Sequence, residues 1–121
     1  MRKYLIVLPL SAALLTAWVV AGHSFVGHWK VAYGNGVTGH VVFTNEGHVE
    51  ATFDGQTWKV GGPYKVEGNN VMISDSTCGF GYWGKYKVTW YSNDSAKAVL
   101  VEDSCSGRKM NVDGSVMVRE K

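Results

Sequence analysis

The chain has 121 residues and carries 12 Lys and Arg side chains against 10 Asp and Glu side chains. Arg2 and Lys3 precede a long uncharged apolar run, and the rest of the chain holds ten basic and ten acidic residues. This neutral remainder has neither the basic patch of a nucleic-acid-binding protein nor a basic amphipathic helix for a membrane surface, so we expect no nucleic-acid partner.

The N-terminal run has the anatomy of a secretory signal peptide, because two cationic residues precede the apolar stretch. Val19 and Ala21 are small residues that suit a cleavage point near Gly22. We therefore predict a signal peptide over 1–22 and one domain over 23–121. The alternative is a membrane anchor, since the run approaches the ~18 residues that a spanning helix needs. We expect a secreted or periplasmic protein, associated with a membrane only if this segment is retained.

Cys78 and Cys105 are the two cysteines of the chain. An exported protein meets an oxidising compartment in which a disulfide persists, and two cysteines allow a single pairing. The bridge would close a loop of about 28 residues and, in the chain-entropy model, stabilise the fold by roughly 3 to 4 kcal/mol. A redox or metal site is disfavoured, because the sequence has no C-x-x-C motif and no histidine near either cysteine.

After residue 23 the apolar residues alternate with period two, and turn residues such as Asp54-Gly55 recur at short intervals. Short, regularly spaced strands of this kind are typical of an antiparallel barrel or sandwich, and no stretch shows the spacing of a helix. We predict strands near 28–33, 39–44, 48–53, 56–60, 63–67, 71–74, 84–92, 96–103, 107–112 and 115–120.

The turns also predict strand registers. If 54–55 is a two-residue turn and 45–47 a three-residue loop, adjoining hairpins share one apolar face. The predicted pairs are Phe43 with Val49, Val41 with Ala51, Phe53 with Gln56, Ala51 with Trp58, Val49 with Val60, Glu50 with Lys59 and, across 113–114, Met110 with Met117. A continuous meander removes its edge strands by closing. We therefore predict an all-β fold, an antiparallel up-and-down meander closed into a small barrel, with a β-sandwich as the alternative.

Two short motifs bear a resemblance to a known group of barrels. Gly27-His28-Trp29 opens the first strand of the domain and Arg119 closes the last. In these residues the chain resembles the calycins, which include lipocalins, fatty-acid-binding proteins, avidins and a family of secreted protease inhibitors. The resemblance implies that the Trp29 indole caps one end of the barrel and that Arg119 lies across its ring, a contact worth roughly 0.5 to 2 kcal/mol.

The second half of the domain adds a further likeness. Cys78, a strand that begins at 84–86, and the run Asp103-Ser104-Cys105-Ser106-Gly107-Arg108 together resemble small secreted lipocalin-like domains with a D-x-C-x-x-R signature. This resemblance covers most of 23–121. It implies that Cys105 bonds to Cys78, that Arg108 pairs with a carboxylate such as Asp103, and that Asp103 holds the backbone of the turn.

The run Gly79-Phe80-Gly81-Tyr82-Trp83-Gly84 has the letters of a dinucleotide-binding fingerprint. That chemistry needs a helix after the glycines, and a strand is predicted there, so we expect no cofactor. Phe80, Tyr82 and Trp83 are instead a candidate interaction rim. The alternative is that these aromatic side chains fold over the barrel as a lid on its core.

Catalysis and metal binding find little support. His40 is predicted to face Thr52 and His48 to face Thr44, so the histidines do not converge, and we expect no metal site. Ser104 and the other hydroxyls near Asp103 have no histidine that the strand order brings close. We therefore expect that the protein is not an enzyme.

The large aromatic residues predicted to face inward are the candidate lining of a ligand site: Phe43, Phe53, Trp58, Tyr86 and Trp90. We expect an exported, lipocalin-like domain that binds a small apolar ligand. The alternative is a protein-interaction or protease-inhibitor-type barrel, in which the same side chains fill the core. The interior volume of the barrel separates these two expectations.

Overall fold

The computed structural model describes residues 19–20, 23–79 and 81–121. Most of the predicted signal peptide, and Phe80 of the predicted rim, lie outside the described residues. Within those ranges, no helix is long and apolar enough to cross a membrane.

The described chain folds as antiparallel strands and one short helix. In chain order the elements are β1 (Val19–Val20), β2 (His23–Ser24), β3 (Gly27–Ala32), β4 (Thr38–Phe43), β5 (His48–Phe53), β6 (Lys59–Glu67), β7 (Asn70–Ile73), β8 (Gly84–Ser92), β9 (Ser95–Glu102), α1 (Ser106–Val112) and β10 (Val116–Arg119). Strands β3 to β10 form a closed barrel in the order β10-β3-β4-β5-β6-β7-β8-β9, and β1 pairs with β2 in a separate sheet. The predicted closed antiparallel meander is confirmed, and the sandwich alternative is wrong.

The alternating pattern places one face of each strand inside the barrel. In β3, Trp29 and Val31 are buried while Lys30 is exposed, and in β8 the same alternation buries Tyr86 and Val88. Removing such side chains from water is the main favourable term in folding. The buried apolar core consists of Phe25, Trp29, Val31, Tyr33, Val41, Phe43, Val49, Phe53, Tyr64, Val71, Ile73, Tyr86, Val88, Ala96, Ala98 and Met117.

The predicted register of the β4–β5 hairpin is confirmed. Phe43 pairs with Val49 and Val41 with Ala51, while His40 lies opposite Thr52. The loop between the strands closes with a hydrogen bond from the Thr44 N–H to the His48 carbonyl oxygen, 2.8 Å long.

The predicted register of the next hairpin is wrong by two residues. Ala51 pairs with Val60 rather than with Trp58, because residues 54–58 form a longer loop before the ladder begins. The tight turn does form, since the Gln56 N–H donates to the Phe53 carbonyl oxygen at 3.1 Å, but pairing does not continue from it. A shift of two residues preserves the inward face within the ladder, so Val60 still faces inward although its predicted partner is wrong. Trp58 precedes the ladder, and the prediction fails for it.

The strands predicted over 56–60 and 63–67 are parts of one continuous strand, β6, which begins at Lys59, so the strand predicted over 56–58 is wrong. Gly61 and Gly62 lie between the two predicted strands. A Cβ atom on Gly62 would lie only 2.2 Å from the Ser74 carbonyl oxygen. The glycine therefore permits a close backbone approach within a continuous strand, as glycines in strand interiors often do.

The strand predicted over 107–112 is a helix, α1, and the predicted pair of Met110 with Met117 is wrong. Met117 pairs instead with Ala96 and with Val31, because β10 closes the barrel between β9 and β3. The helix has seven residues, too few to show a helical period in the sequence. Its fold depends on tertiary contacts, described below, that no local pattern encodes.

The antiparallel order gives the barrel two ends with different closures. The Trp29 end consists of residues 24–26 and the connections 44–47, 68–69 and 93–94. The helix end consists of the connections 33–37, 54–58, 74–83 and 103–115, the last of which contains α1.

Candidate ligand cavity

The barrel interior contains a cavity of about 60 Å³. It extends from Phe25 and Phe43, towards the Trp29 end, to Asp75 and Val112 at the helix end. The lining residues are Phe25, Val31, Tyr33, Val41, Phe43, Val49, Ala51, Val60, Val71, Ile73, Asp75, Val88, Ala98, Val112, Ser115 and Met117. A space of this volume exceeds what one water needs and is almost wholly apolar, which suits a small apolar molecule.

A smaller cavity of about 30 Å³ lies at the helix end. It shares Tyr33, Asp75 and Val112 with the larger cavity, and Arg108 and Asn111 of α1 also line it. The helix therefore forms part of the cavity wall at this end, and the polar side chains of the cavities are concentrated there.

The predicted ligand-site residues fall in different places. Phe43 lines the larger cavity and Phe53 the smaller one. Tyr86 and Trp90 pack in or against the core but line neither cavity. Trp58 is 52% exposed on the outside, where its ring lies 4.9 Å from that of Phe53, because the longer loop at 54–58 carries it out of the ladder. The prediction that Trp58 faces inward is wrong.

A buried ionic cluster lies at the helix end. We call its four residues, Arg108, Asp103, Asp75 and Tyr86, the Arg108 cluster. The Arg108 guanidinium donates two hydrogen bonds to Asp103, from Nε at 2.7 Å and from Nη2 at 2.9 Å. Its Nη1 donates to Asp75 Oδ1 at 3.2 Å, and Nη2 also donates to the Tyr82 carbonyl oxygen at 2.6 Å. The predicted pairing of Arg108 with Asp103 is therefore present.

Asp103 accepts two further hydrogen bonds. The Tyr86 hydroxyl donates to Oδ2 at 2.5 Å, and the Cys105 N–H donates to Oδ1 at 2.9 Å, as expected for a side chain that holds the turn. Burial by itself raises the pKa of Asp103, but the hydrogen bonds from Arg108, Tyr86 and the Cys105 backbone outweigh it and hold the pKa below its ordinary value. Burial and the Asp103 carboxylate both raise the pKa of Tyr86. The cluster therefore holds an ionised Asp103 beside a neutral Tyr86.

The predicted disulfide joins Cys78 to Cys105, with their Cα atoms 5.8 Å apart. Cys105 is the residue that precedes α1, and Cys78 lies in the connection that also carries Asp75. The bridge thus fixes the start of the helix against the segment that supplies the cavity carboxylate.

The Trp29 end is closed by packing. The Arg119 guanidinium carbon lies 4.2 Å from the centre of the Trp29 ring, as the G-x-W resemblance implies. Arg119 also donates to the carbonyl oxygens of Val26 at 2.9 Å and Ser24 at 2.8 Å, while the Trp29 indole N–H donates to the Phe25 carbonyl oxygen at 2.8 Å.

The predicted interaction rim is partly exposed. Tyr82 is 57% exposed, while Trp83 is half-buried with the Lys65 ammonium 4.5 Å from its ring centre. Phe80 lies outside the described residues. Tyr82 therefore does not fold over the core as a lid.

Sequence reasoning missed Asp75, the residue that gives the cavity its charge. Asp75 follows β7 and is 7% exposed. It stands in a run of small polar residues, 74–77, that reads as an ordinary surface connection. Its nearness to Cys78 was the available signal, since the disulfide brings this segment to the start of α1.

No protein-family model matches the chain, and comparisons with curated proteins and with solved structures find no significant match.

Proposed function

We propose that this domain binds a small apolar ligand inside the barrel, beneath α1. The observation that carries the proposal is the larger cavity. Each of the eight barrel strands contributes at least one apolar side chain to its wall. A cavity of about 60 Å³ is well below the several hundred Å³ of sites for drug-sized ligands. The proposed ligand is accordingly a molecule of a few carbon atoms rather than a lipid.

We also propose that the domain is an exported, non-enzymatic, lipocalin-like barrel. The disulfide supports an oxidising, extracytoplasmic compartment. The Arg119 contact with Trp29 and the Asp103 contact with Arg108 support the likeness to lipocalin-like domains. The signal-peptide pattern of the first 22 residues supports export.

The test is a calorimetric titration with 1-butanol. The best small ligands gain at most about 1.5 kcal/mol per non-hydrogen atom, so the five such atoms of 1-butanol set a micromolar floor on Kd, and the titration extends to millimolar concentrations. Saturable binding with a stoichiometry near one supports the proposal. A strictly linear, non-saturable response contradicts it.

A cavity-filling variant locates the binding. Ala98 lines the larger cavity and is 6% exposed, so Ala98→Leu adds carbon atoms to that space. The matched control is Val99→Leu on the outer face of the same strand, where Val99 is 44% exposed. With both variants folded by circular dichroism, we expect Ala98→Leu to abolish butanol binding and Val99→Leu to leave it unchanged.

A second candidate function, protein interaction, is favoured by the exposed aromatic residues at the helix end. Trp58 is 52% exposed and Tyr82 57% exposed, and both lie in connections at that end. Aromatic side chains of this kind are enriched at interfaces. The version of this hypothesis that requires a filled core is less well supported, because the interior holds a cavity.

A further inference from the structure

We infer that the ligand carries a primary ammonium group, which binds Asp75 at the helix end while the apolar part occupies the larger cavity. This inference rests on the proposed function and adds the chemical class of the ligand. It follows from the charge balance of the Arg108 cluster, from its hydrogen bonds and from the position of Asp75 in the cavity wall.

The Arg108 cluster holds two carboxylates and one guanidinium. Asp75 and Asp103 are each 7% exposed, and Arg108 is 1% exposed. The formal charges of the two carboxylates and the guanidinium sum to minus one, and the Asp75 side chain is 11% exposed. One further positive charge at this end would balance the formal charge of the cluster, and opposite charges attract more strongly at a partly buried site than in bulk water.

The hydrogen bonds show which of the two carboxylates can still accept a bond from a positively charged group. Both oxygens of Asp103 accept two hydrogen bonds each, from Arg108, Tyr86 and the Cys105 backbone. In Asp75, Oδ1 accepts from Arg108 Nη1 at 3.2 Å and from the Thr77 N–H at 3.0 Å. Among the described residues, no donor is bonded to Asp75 Oδ2. Asp75 therefore retains acceptor capacity that Asp103 has used.

The position of Asp75 determines the sign of the charge that the ligand carries. Asp75 lines the larger cavity and Arg108 does not, so a ligand seated there meets the carboxylate rather than the guanidinium. The other polar groups in that wall are Ser115 and Tyr33, and the Tyr33 hydroxyl already donates to the Thr52 carbonyl oxygen at 2.9 Å. The Asp75 carboxylate would repel an anionic head group.

A metal ion fits this position less well than an ammonium group. Within the described ranges, no three His, Cys, Asp or Glu side chains converge to hold a metal, whereas Ca²⁺ and Mg²⁺ need several oxygen ligands. An ammonium group needs only a few acceptors and can extend an alkyl chain into the apolar part of the cavity.

The experiment compares three ligands of matched size: n-butylammonium, 1-butanol and butyrate, each titrated calorimetrically at pH 7. A hydrogen bond to a charged group contributes enough to predict at least about tenfold tighter binding of butylammonium than of 1-butanol. Butyrate is expected to bind more weakly than 1-butanol. This order is measured on the unaltered protein, so it does not depend on the folding of any variant.

Asp75→Asn provides the matched variant, since it keeps an acceptor for Arg108 and Thr77 and removes the charge. We expect it to bring butylammonium within about threefold of 1-butanol. The control Asp54→Asn neutralises an exposed carboxylate in a helix-end loop and is expected to leave the preference intact. Equal binding of butylammonium and 1-butanol by the unaltered protein overturns this inference alone. Failure of both to bind overturns the proposed function as well.

Discussion

The two ends of the barrel are closed by different physical means, although each depends on one arginine. At the Trp29 end, Arg119 lies on an aromatic ring, its side chain is 24% exposed, and its carboxylate partner Asp94 is 41% exposed. At the helix end, Arg108 is 1% exposed and bonds to Asp103, which is fully buried as a side chain. The Trp29 end is therefore closed by packed apolar side chains that a partly exposed Arg119 covers. The helix end is closed by a buried ionic network.

This difference predicts unequal consequences when each arginine is lost. A buried carboxylate that loses its partner stays in a low-dielectric environment, whereas an exposed one regains water. The helix end should therefore be the more sensitive of the two, and the cavity carboxylate lies at that sensitive end.

The largest effect is expected from Arg108→Met. It removes the partner of Asp103 and Asp75 at once, and breaking a buried ion pair from one side costs roughly 3 to 5 kcal/mol. Urea unfolding measures the change in the free energy of unfolding. The control is Lys109→Met, an exposed neighbour on α1, which should change stability by less than about 0.5 kcal/mol. A loss below about 1 kcal/mol in Arg108→Met would show that the cluster does not stabilise this end.

Removal of the disulfide should rank second. The double variant Cys78→Ala, Cys105→Ala opens the loop and should lose roughly 3 to 4 kcal/mol in the chain-entropy model. Because the bridge lies at the helix end, amide hydrogen exchange should accelerate in α1 more than in β3. Equal acceleration of amide exchange in α1 and β3 would contradict the view that the disulfide stabilises the helix end locally.

Arg119→Met should have a smaller effect, about 1 to 2 kcal/mol, because the cation–π contact and the partly solvated ion pair each contribute modestly. Urea unfolding measures it against Lys121→Met, which removes the other, highly exposed partner of Asp94 and should be nearly neutral. A loss in Arg119→Met as large as that in Arg108→Met would abolish the proposed contrast between the two ends.

The smallest expected effect is a dependence of the helix end on acid pH, through Asp103. The pKa of Asp103 is lowered by folding, so its contribution to stability is complete above its ordinary value near 4 and is lost as pH falls through the lowered value. Carboxyl-carbon NMR titration of Asp103 measures the midpoint, and hydrogen exchange in α1 reports the loss. A titration midpoint for Asp103 at or above the ordinary pKa of an aspartate would contradict this prediction.

The Trp29 end was more predictable than the helix end for a physical reason. Period-two alternation and the inward face of β4 and β5 follow from burial, which acts residue by residue along the chain. The contact of Arg119 with Trp29 came from the resemblance, and the geometry agrees with it.

The helix end resisted prediction where tertiary contacts overrode local pattern. Residues 107–112 alternate well enough to suggest a strand, yet the buried Arg108 side chain and the Cys105 disulfide accompany a helix there. The outward position of Trp58 depends on a loop length that the Asp54-Gly55 turn does not encode. No sequence pattern marks Asp75, because its place in the Arg108 cluster depends on a tertiary contact with Arg108.

Methyl NMR spectroscopy during a titration with 1-butanol tests interior binding most directly. We expect saturable shifts in the methyl signals of Val31, Val41 and Met117, which line the larger cavity, and none in those of the exposed Val101 and Val118. Saturable shifts confined to the exposed methyl groups, or no saturable shift at all, would contradict binding inside the barrel.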